Sequence, residues 1–444
     1  MPETLLSVGL DVGTTSTQLI VSRLAIENRA GSFSVPEMDI TRRQVLYKGQ
    51  VHFTPLLDEA RVDAQALRKL VDEEYIRAGI RREDVDTGAI IITGETSRKE
   101  NARAVLSQLS GYAGDFVVAT AGPDLESVLA AKGAGAVTLS RDRGKTVLHM
   151  DIGGGTSNLS LIRDGKIEKT GCLNVGGRLI KLDESGKIYY VSPVLRQISD
   201  LKVGDTPTMG QLEELCEILT QALEMAAGLR PATNLLHQLS TAEAKPWTPP
   251  QEQVLVSFSG GVADCIETEG DWLEFGDLGR ILGKKIRESL LCAGEYALGK
   301  ETIRATVIGA GCHSTQLSGS TVYHRNLAFP LKNLRVVPVG KELPGEPTEE
   351  PTVLFIRGMT SPRYADVADL ARRIADARPT EPVLVCVETD MAKALGQCLA
   401  GLLPLDREIL CIDRVRLSPE SYLDVGAPVG PALPVVVKTL VLEQ

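Results

Sequence analysis

An apolar run at residues 5–10 is followed by Asp11-Val12-Gly13-Thr14-Thr15-Ser16-Thr17-Gln18 and then by a second apolar run, Leu19-Ile20-Val21. Short apolar runs around a Gly/Thr/Ser core predict two strands joined by a tight turn. The same order returns later in the chain. Val147-Leu148-His149-Met150 leads into Asp151-Ile152-Gly153-Gly154-Gly155-Thr156-Ser157-Asn158 and out through Leu159-Ser160-Leu161-Ile162. At a constant offset Asp meets Asp, Val meets Ile, Gly meets Gly, and Leu19 meets Leu159. One recurrence at this distance predicts a duplicated domain rather than a solenoid.

Further strands are predicted near residues 44–53, 89–93 and 116–120, and helices near 63–78 and 98–110. In the first of these helices Leu67, Leu70, Val71, Tyr75 and Ile76 form one apolar stripe among charges, the mark of core packing. Residues 123–135 combine Leu125, Val128 and Leu129 with small Ala and Gly residues. That predicts a helix with one slim face, which lets a second helix cross closely. Ser257-Phe258-Ser259-Gly260-Gly261-Val262-Ala263-Asp264 reads as a strand end, a glycine pair and a helix start. Residues 302–308 read as a strand running into Gly309-Ala310-Gly311 and a small-residue stretch at 314–320. The segment 181–250 exceeds what a minimal lobe needs and ends in a Pro-rich exit. A Pro/Glu/Gly linker at 344–351 precedes a strand (353–356), a helix (364–377), a strand (383–387), a helix (391–402) and a closing strand (435–442). This pattern predicts a small α/β unit, either a partner-binding addition or a structural extension.

The 444 residues are 43% apolar and 24% charged, enough to bury cores. The net charge of −10 argues against a nucleic-acid or anionic-membrane partner held by charge. No apolar run reaches the roughly 18 residues of a membrane span. Met1-Pro2-Glu3-Thr4 lacks the basic patch of a signal peptide, so a cytoplasmic location is expected. The eight cysteines and five histidines are scattered, which fits free thiols rather than disulfides or a zinc site.

The chemistry is expected in the hairpins. Their turns offer backbone N–H groups and hydroxyls in a concave loop, which suits a phosphate. Glycine lets the backbone approach closely. An aspartate at each strand end would repel phosphate directly, but suits a hydrated Mg²⁺, which takes one or two carboxylates and keeps its waters. Two facing hairpins would clamp a nucleoside triphosphate. The set is Gly13, Thr14, Thr15 and Ser16 in the first turn and Gly153, Gly154, Gly155 and Thr156 in the second, with Asp11 and Asp151 toward the metal. Gly260 and Gly261 would let a flat group lie against the backbone. Neither GxxxxGK[ST] nor a complete GxGxxG occurs, so the nucleotide signal lies in the hairpins.

The order of parts, at 9–18, 123–136, 149–158, 257–264 and 306–320, resembles the sugar kinase, Hsp70 and actin superfamily. Within it the sequence is similar to the ethanolamine ammonia-lyase reactivating factors, the EutA family. That likeness rests on residues 8–18, on Thr93-Gly94-Glu95-Thr96-Ser97-Arg98-Lys99-Glu100-Asn101-Ala102 and on residues 257–264. It implies an α/β protein with two actin-like (ribonuclease H-like) lobes around a nucleotide cleft and an extra C-terminal α/β segment. The lobes would span 1–140 and 141–340, and the extension 341–444. It also implies an ATP- and Mg²⁺-dependent chaperone-like protein whose partner is a coenzyme-B12-dependent ethanolamine ammonia-lyase. There it would exchange damaged cobalamin for adenosylcobalamin, in the cytoplasm and in association with a bacterial microcompartment. For the residue that orients the hydrolytic water, Glu126 at the start of the slim helix ranks above Glu95 in its turn. A small-molecule kinase of the same superfamily and an actin-like, nucleotide-driven scaffold are the alternatives.

Overall fold

The structure is a computed structural model. It describes residues 3–439 except 14–15, 30–37, 59–60, 94–100, 102–104, 106–108, 110–117, 121–122, 242–243, 245, 314, 320, 340–350, 358, 360–361, 416, 418–420 and 431. The helix expected at 98–110 and the linker at 344–351 therefore lie largely outside the described residues.

The first lobe is built on strand Glu3–Val12, which pairs antiparallel with Ser16–Asn28 and parallel with Thr87–Ile92. Met38–Lys48 extends one edge and Val118–Thr120 the other. Both faces are covered, which explains why these strands read as unbroken apolar runs. Leu10, Val12, Leu19 and Val21 pack on Leu67, Val71 and Tyr75 of helix Ala64–Ala78. That helix starts where Asp63 caps the N–H groups of Gln65 and Ala66 and stops at Gly79 in the left-handed region. On the opposite face Ile20 meets Val307 and Ile308.

The second lobe repeats this plan. Val147–Ile152 pairs antiparallel with Ser157–Arg163 and parallel with Leu255–Ser259, with Lys166–Leu173 and Tyr296–Leu298 at the edges. One face carries the large core against helices Met209–Ala226 and Gly279–Glu288. The other packs Val147, Ile162 and Leu255 on Ala131 and Ala136.

Two helices join the lobes and cross backbone to backbone. A Cβ on Gly133 of helix Pro123–Gly133 would lie 1.8 Å from the Ala305 carbonyl oxygen. One on Gly309 of helix Ala305–His313 would lie 2.1 Å from that of Leu129. The slim face expected of 123–135 is present and used. The strand expected at 302–308 is not: helix starts at Ala305, inside that run. Its Thr, Val and Ile residues favour a strand locally, but the close glycine packing with Pro123–Gly133 decides the outcome.

The C-terminal part is larger than the expected unit. Thr352–Ile356, Val383–Val387 and Ile409–Asp413 form a parallel core with helices Tyr364–Ala377 and Ala392–Leu402 on one face. Leu331–Val339, Ser421–Val425, Pro434–Thr439, Thr315–Leu317 and Tyr323–Arg325 widen it to an eight-stranded sheet. Three of these strands precede residue 341. Among the described residues no helix is long and apolar enough to cross a membrane.

Candidate functional site

The two hairpins close in the same way, 140 residues apart in sequence. Gly13 N donates to Ser16 O at 2.9 Å, and Gly153 N donates to Thr156 O at 2.9 Å. Asp11 stands opposite Gln18 and Asp151 opposite Asn158. Outside groups fix both turns. Thr54 Oγ1 donates to Gly13 O at 2.8 Å. Gly177 N and Arg178 N donate to Gly153 O and Gly154 O at 3.0 and 2.6 Å. Gly176 permits this approach, since a Cβ there would lie 2.4 Å from Gly154 O.

Both turns open into one cleft of about 360 Å³ between the lobes. Asp11, Gly13, Ser16, Asp151, Gly153, Gly154, Gly155 and Thr156 line it. So do Glu126, Gly260 and Gly261. Thr14, Thr15 and Glu95 lie outside the described residues. Gly260 needs to be glycine: its φ is +87°, and a Cβ would lie 2.3 Å from Ile152 O. Val262 N donates to that same oxygen at 3.1 Å, which stitches the glycine pair to the second hairpin.

Burial governs the acids. It pushes the Asp11 carboxyl up to about 7, against the opposing hydrogen bond from Thr93 Oγ1 at 2.9 Å and with the help of the Asp151 charge. It pushes Asp151 up to about 6, although Ser259 Oγ donates to Oδ1 and Thr306 Oγ1 to Oδ2. Behind Asp151 sits the fully buried His149, held down to about 3 by desolvation and so neutral. Because Ser259 Oγ spends its proton on Asp151, it accepts from His149 Nε2 at 2.9 Å. Nδ1 then accepts from Ser257 Oγ at 3.2 Å. Beside the aspartates, Gln18 Oε1 and Asn158 Oδ1 are buried with no hydrogen-bond partner among the described residues, and Gln18 lines the cleft.

Sequence reasoning missed Thr93 as a partner of Asp11, the His149–Ser257–Ser259 chain, and the 176–178 segment behind the second turn. Only the last left a local signal, the Gly176-Gly177 pair. The cleft also takes Val51, His52 and Phe53 from the first lobe and Phe275 and Asp277 from the second. Among the described residues no group of three or more His, Cys, Asp or Glu side chains could hold a metal unaided.

A family model described as "Ethanolamine utilisation protein EutA" matches residues 3–443. The ethanolamine ammonia-lyase reactivase EutA of Salmonella typhimurium is 37% identical over 470 residues, covering 98% of each chain. Its Escherichia coli counterpart is 38% identical over 464 residues, again covering 98% of each. Among solved structures, ethanolamine utilization protein EutJ from Carboxydothermus hydrogenoformans is similar at 17% identity over 70% of this chain and 90% of that chain, with a TM-score of 0.36.

Proposed function

The chain belongs to the EutA family of ethanolamine utilisation proteins, and on that premise we propose that it is an ATP-dependent reactivase of ethanolamine ammonia-lyase. In this reading the two lobes are the ribonuclease H-like halves of an actin-like ATPase. The protein uses nucleotide to exchange damaged cobalamin on the lyase for adenosylcobalamin. The observation that carries the nucleotide part is the pair of glycine turns, closed by the same hydrogen bond and opening into one cleft.

The residues suit Mg²⁺. Magnesium takes hard oxygen donors, one or two of them carboxylates, and completes its shell with water and substrate phosphate. Asp11 and Asp151 supply the carboxylates, and the amide oxygen of Gln18, without a hydrogen-bond partner among the described residues, is a further acceptor at the cleft wall. Asp11 and Asp151 would hold the ion, which when bound neutralises phosphate charge. The chain's own groups do the rest. Backbone N–H groups of the two turns bind phosphate oxygens. Thr93 and the His149–Ser259 chain keep the two carboxylates aimed. Glu126, at the start of a helix packed against the opposite helix, orients the attacking water.

The test mixes lyase carrying inactivated cobalamin with this protein, Mg-ATP and free adenosylcobalamin. Lyase activity should return only when all are present. Recovery without ATP, or none with the full mixture, overturns the proposal.

A further inference from the structure

The charge of the cleft is unbalanced. Among the described residues lining it, Asp11, Glu126, Asp151, Asp264 and Asp277 carry carboxyls, and Arg178 is the one lysine or arginine. A phosphate chain entering such a site adds negative charge to negative charge, and a single Mg²⁺ shared with two carboxylates leaves much of it uncompensated.

Arg178 is built into place rather than waving from the surface. Its backbone N–H donates to Gly154 O at 2.6 Å, which fixes its Cα one hydrogen bond from the second turn. Its Nε donates to Asp277 Oδ2 at 2.9 Å, and the side chain is only 25% exposed. Asp277 is anchored in turn, since its Oδ1 accepts from Gly279 N at 2.7 Å. A guanidinium has five donors in a planar fork. Here Nε is engaged, while Nη1 and Nη2 donate to no described residue. Across the cleft, the ring of Phe53 lies 5.8 Å from the guanidinium carbon. That ring is 80% exposed, an unusual place for a phenylalanine, and it comes from the other lobe.

We infer that Arg178 binds the phosphate chain of the nucleotide, offering its terminal Nη groups as a fork beside the Gly153–Gly155 turn. The inference rests on the reading of the cleft as a nucleotide site. Asp277 is the positioning residue that sets the plane of the fork. Phe53 supports the guanidinium from the facing lobe, so the cation sits where both lobes meet the ligand. Arginine suits this role better than lysine because its fork matches two phosphate oxygens at once.

The experiment measures affinity by calorimetry, in Mg²⁺, for adenosine, ADP and a non-hydrolysable ATP analogue. It compares the unaltered protein with Arg178→Lys and Arg178→Ala. Arg178→Ala should weaken ADP and the analogue about 10- to 100-fold and leave adenosine unchanged. Arg178→Lys, which keeps the charge and loses the fork, should fall between. Adenosine is the control for folding, because a merely structural role would weaken all three ligands together. Equal loss across the three, or no loss for the phosphorylated ligands, overturns the inference while leaving the nucleotide cleft standing. Failure of the unaltered protein to bind any of them overturns the nucleotide reading itself, and this inference with it.

Discussion

Raising the pH from 6 to 8 should tighten binding of Mg-nucleotide, because the two carboxyls proposed to hold the metal are still partly protonated near neutrality. Burial pushes Asp11 up to about 7 and Asp151 up to about 6. At pH 6 roughly a tenth of Asp11 and half of Asp151 are ionised, and at pH 8 about nine-tenths or more of each. A metal that needs both carboxylates charged therefore loses about 20-fold in affinity between pH 8 and pH 6. Near pH 7 its binding should release roughly 0.6 of a proton from the pair. Calorimetry at pH 6, 7 and 8, in two buffers of different ionisation enthalpy, reads both quantities. Asp11→Asn removes the larger part, so its affinity ratio should shrink to about twofold, the share left to Asp151. Titration of the ligand's own phosphates is common to both proteins and cancels in the comparison. The reasoning is refuted if the unaltered protein and Asp11→Asn show the same pH ratio, or if no proton release is seen.

Three further outcomes follow from the same geometry. Because burial raises Asp11 above its ordinary value of 3.8, its contribution to stability is complete below about pH 4 and lost as pH rises through 7. Asp11→Asn without ligand should therefore raise the melting temperature more at pH 8 than at pH 5; an equal gain at both would show that charge is not the cause. Gly309→Ala places a methyl 2.1 Å from Leu129 O and should cost about 3 kcal/mol in denaturant unfolding, whereas a neutral result would mean the two helices already have room to separate. Glu126→Gln should slow ATP hydrolysis about 100-fold with nucleotide affinity kept, and unchanged turnover would remove Glu126 from the water-orienting role.

The duplicated hairpins were legible because such a turn is written in contiguous residues. Asp11, Gly13 and Ser16, and again Asp151, Gly153 and Thr156, sit within six positions of one another, so the pattern survives in one dimension. The slim helix was legible for the same reason. What the topology assembles from afar was not. Thr93 reaches Asp11 across 82 positions, and Ser259 reaches Asp151 across 108. Arg178 looks like any surface arginine until its loop folds back on Gly154. Residues 302–308 misled because β-branched residues report local preference, while the start of the helix at Ala305 depends on a glycine contact 172 positions away, at Gly133. In the C-terminal part the βαβα core has periodicity and was read. Strands Ile409–Asp413 and Ser421–Val425 were not, since short strands gain their identity from their neighbours in the sheet.

The segment 301–306 is where the lobes and the cleft meet. From the first lobe Gln18 Nε2 donates to Ile303 O at 3.1 Å, Arg304 reaches Gly49 O at 3.1 Å, and Lys48 pairs with Glu301. From the second, Gly260 N donates to Thr302 O at 3.0 Å, and Thr302 Oγ1 donates to Asp264. Thr306 Oγ1 points at Asp151, and helix Ala305–His313 begins here. Four residues on from Ala305, that helix lies against Pro123–Gly133 with no side chain between Gly309 and the Leu129 carbonyl. Backbones in such contact have little room to slide along each other, and Leu125 and Leu129 pack on Ala310 beside the contact. Because 301–306 bonds to both lobes, a change in hairpin separation would bend or exchange these hydrogen bonds. Each is worth about 0.5–1.5 kcal/mol net, and allosteric couplings between sites run at about 1–3 kcal/mol. One or two of these bonds, gained in one nucleotide state and lost in the other, would shift the affinity for a partner roughly 2- to 150-fold.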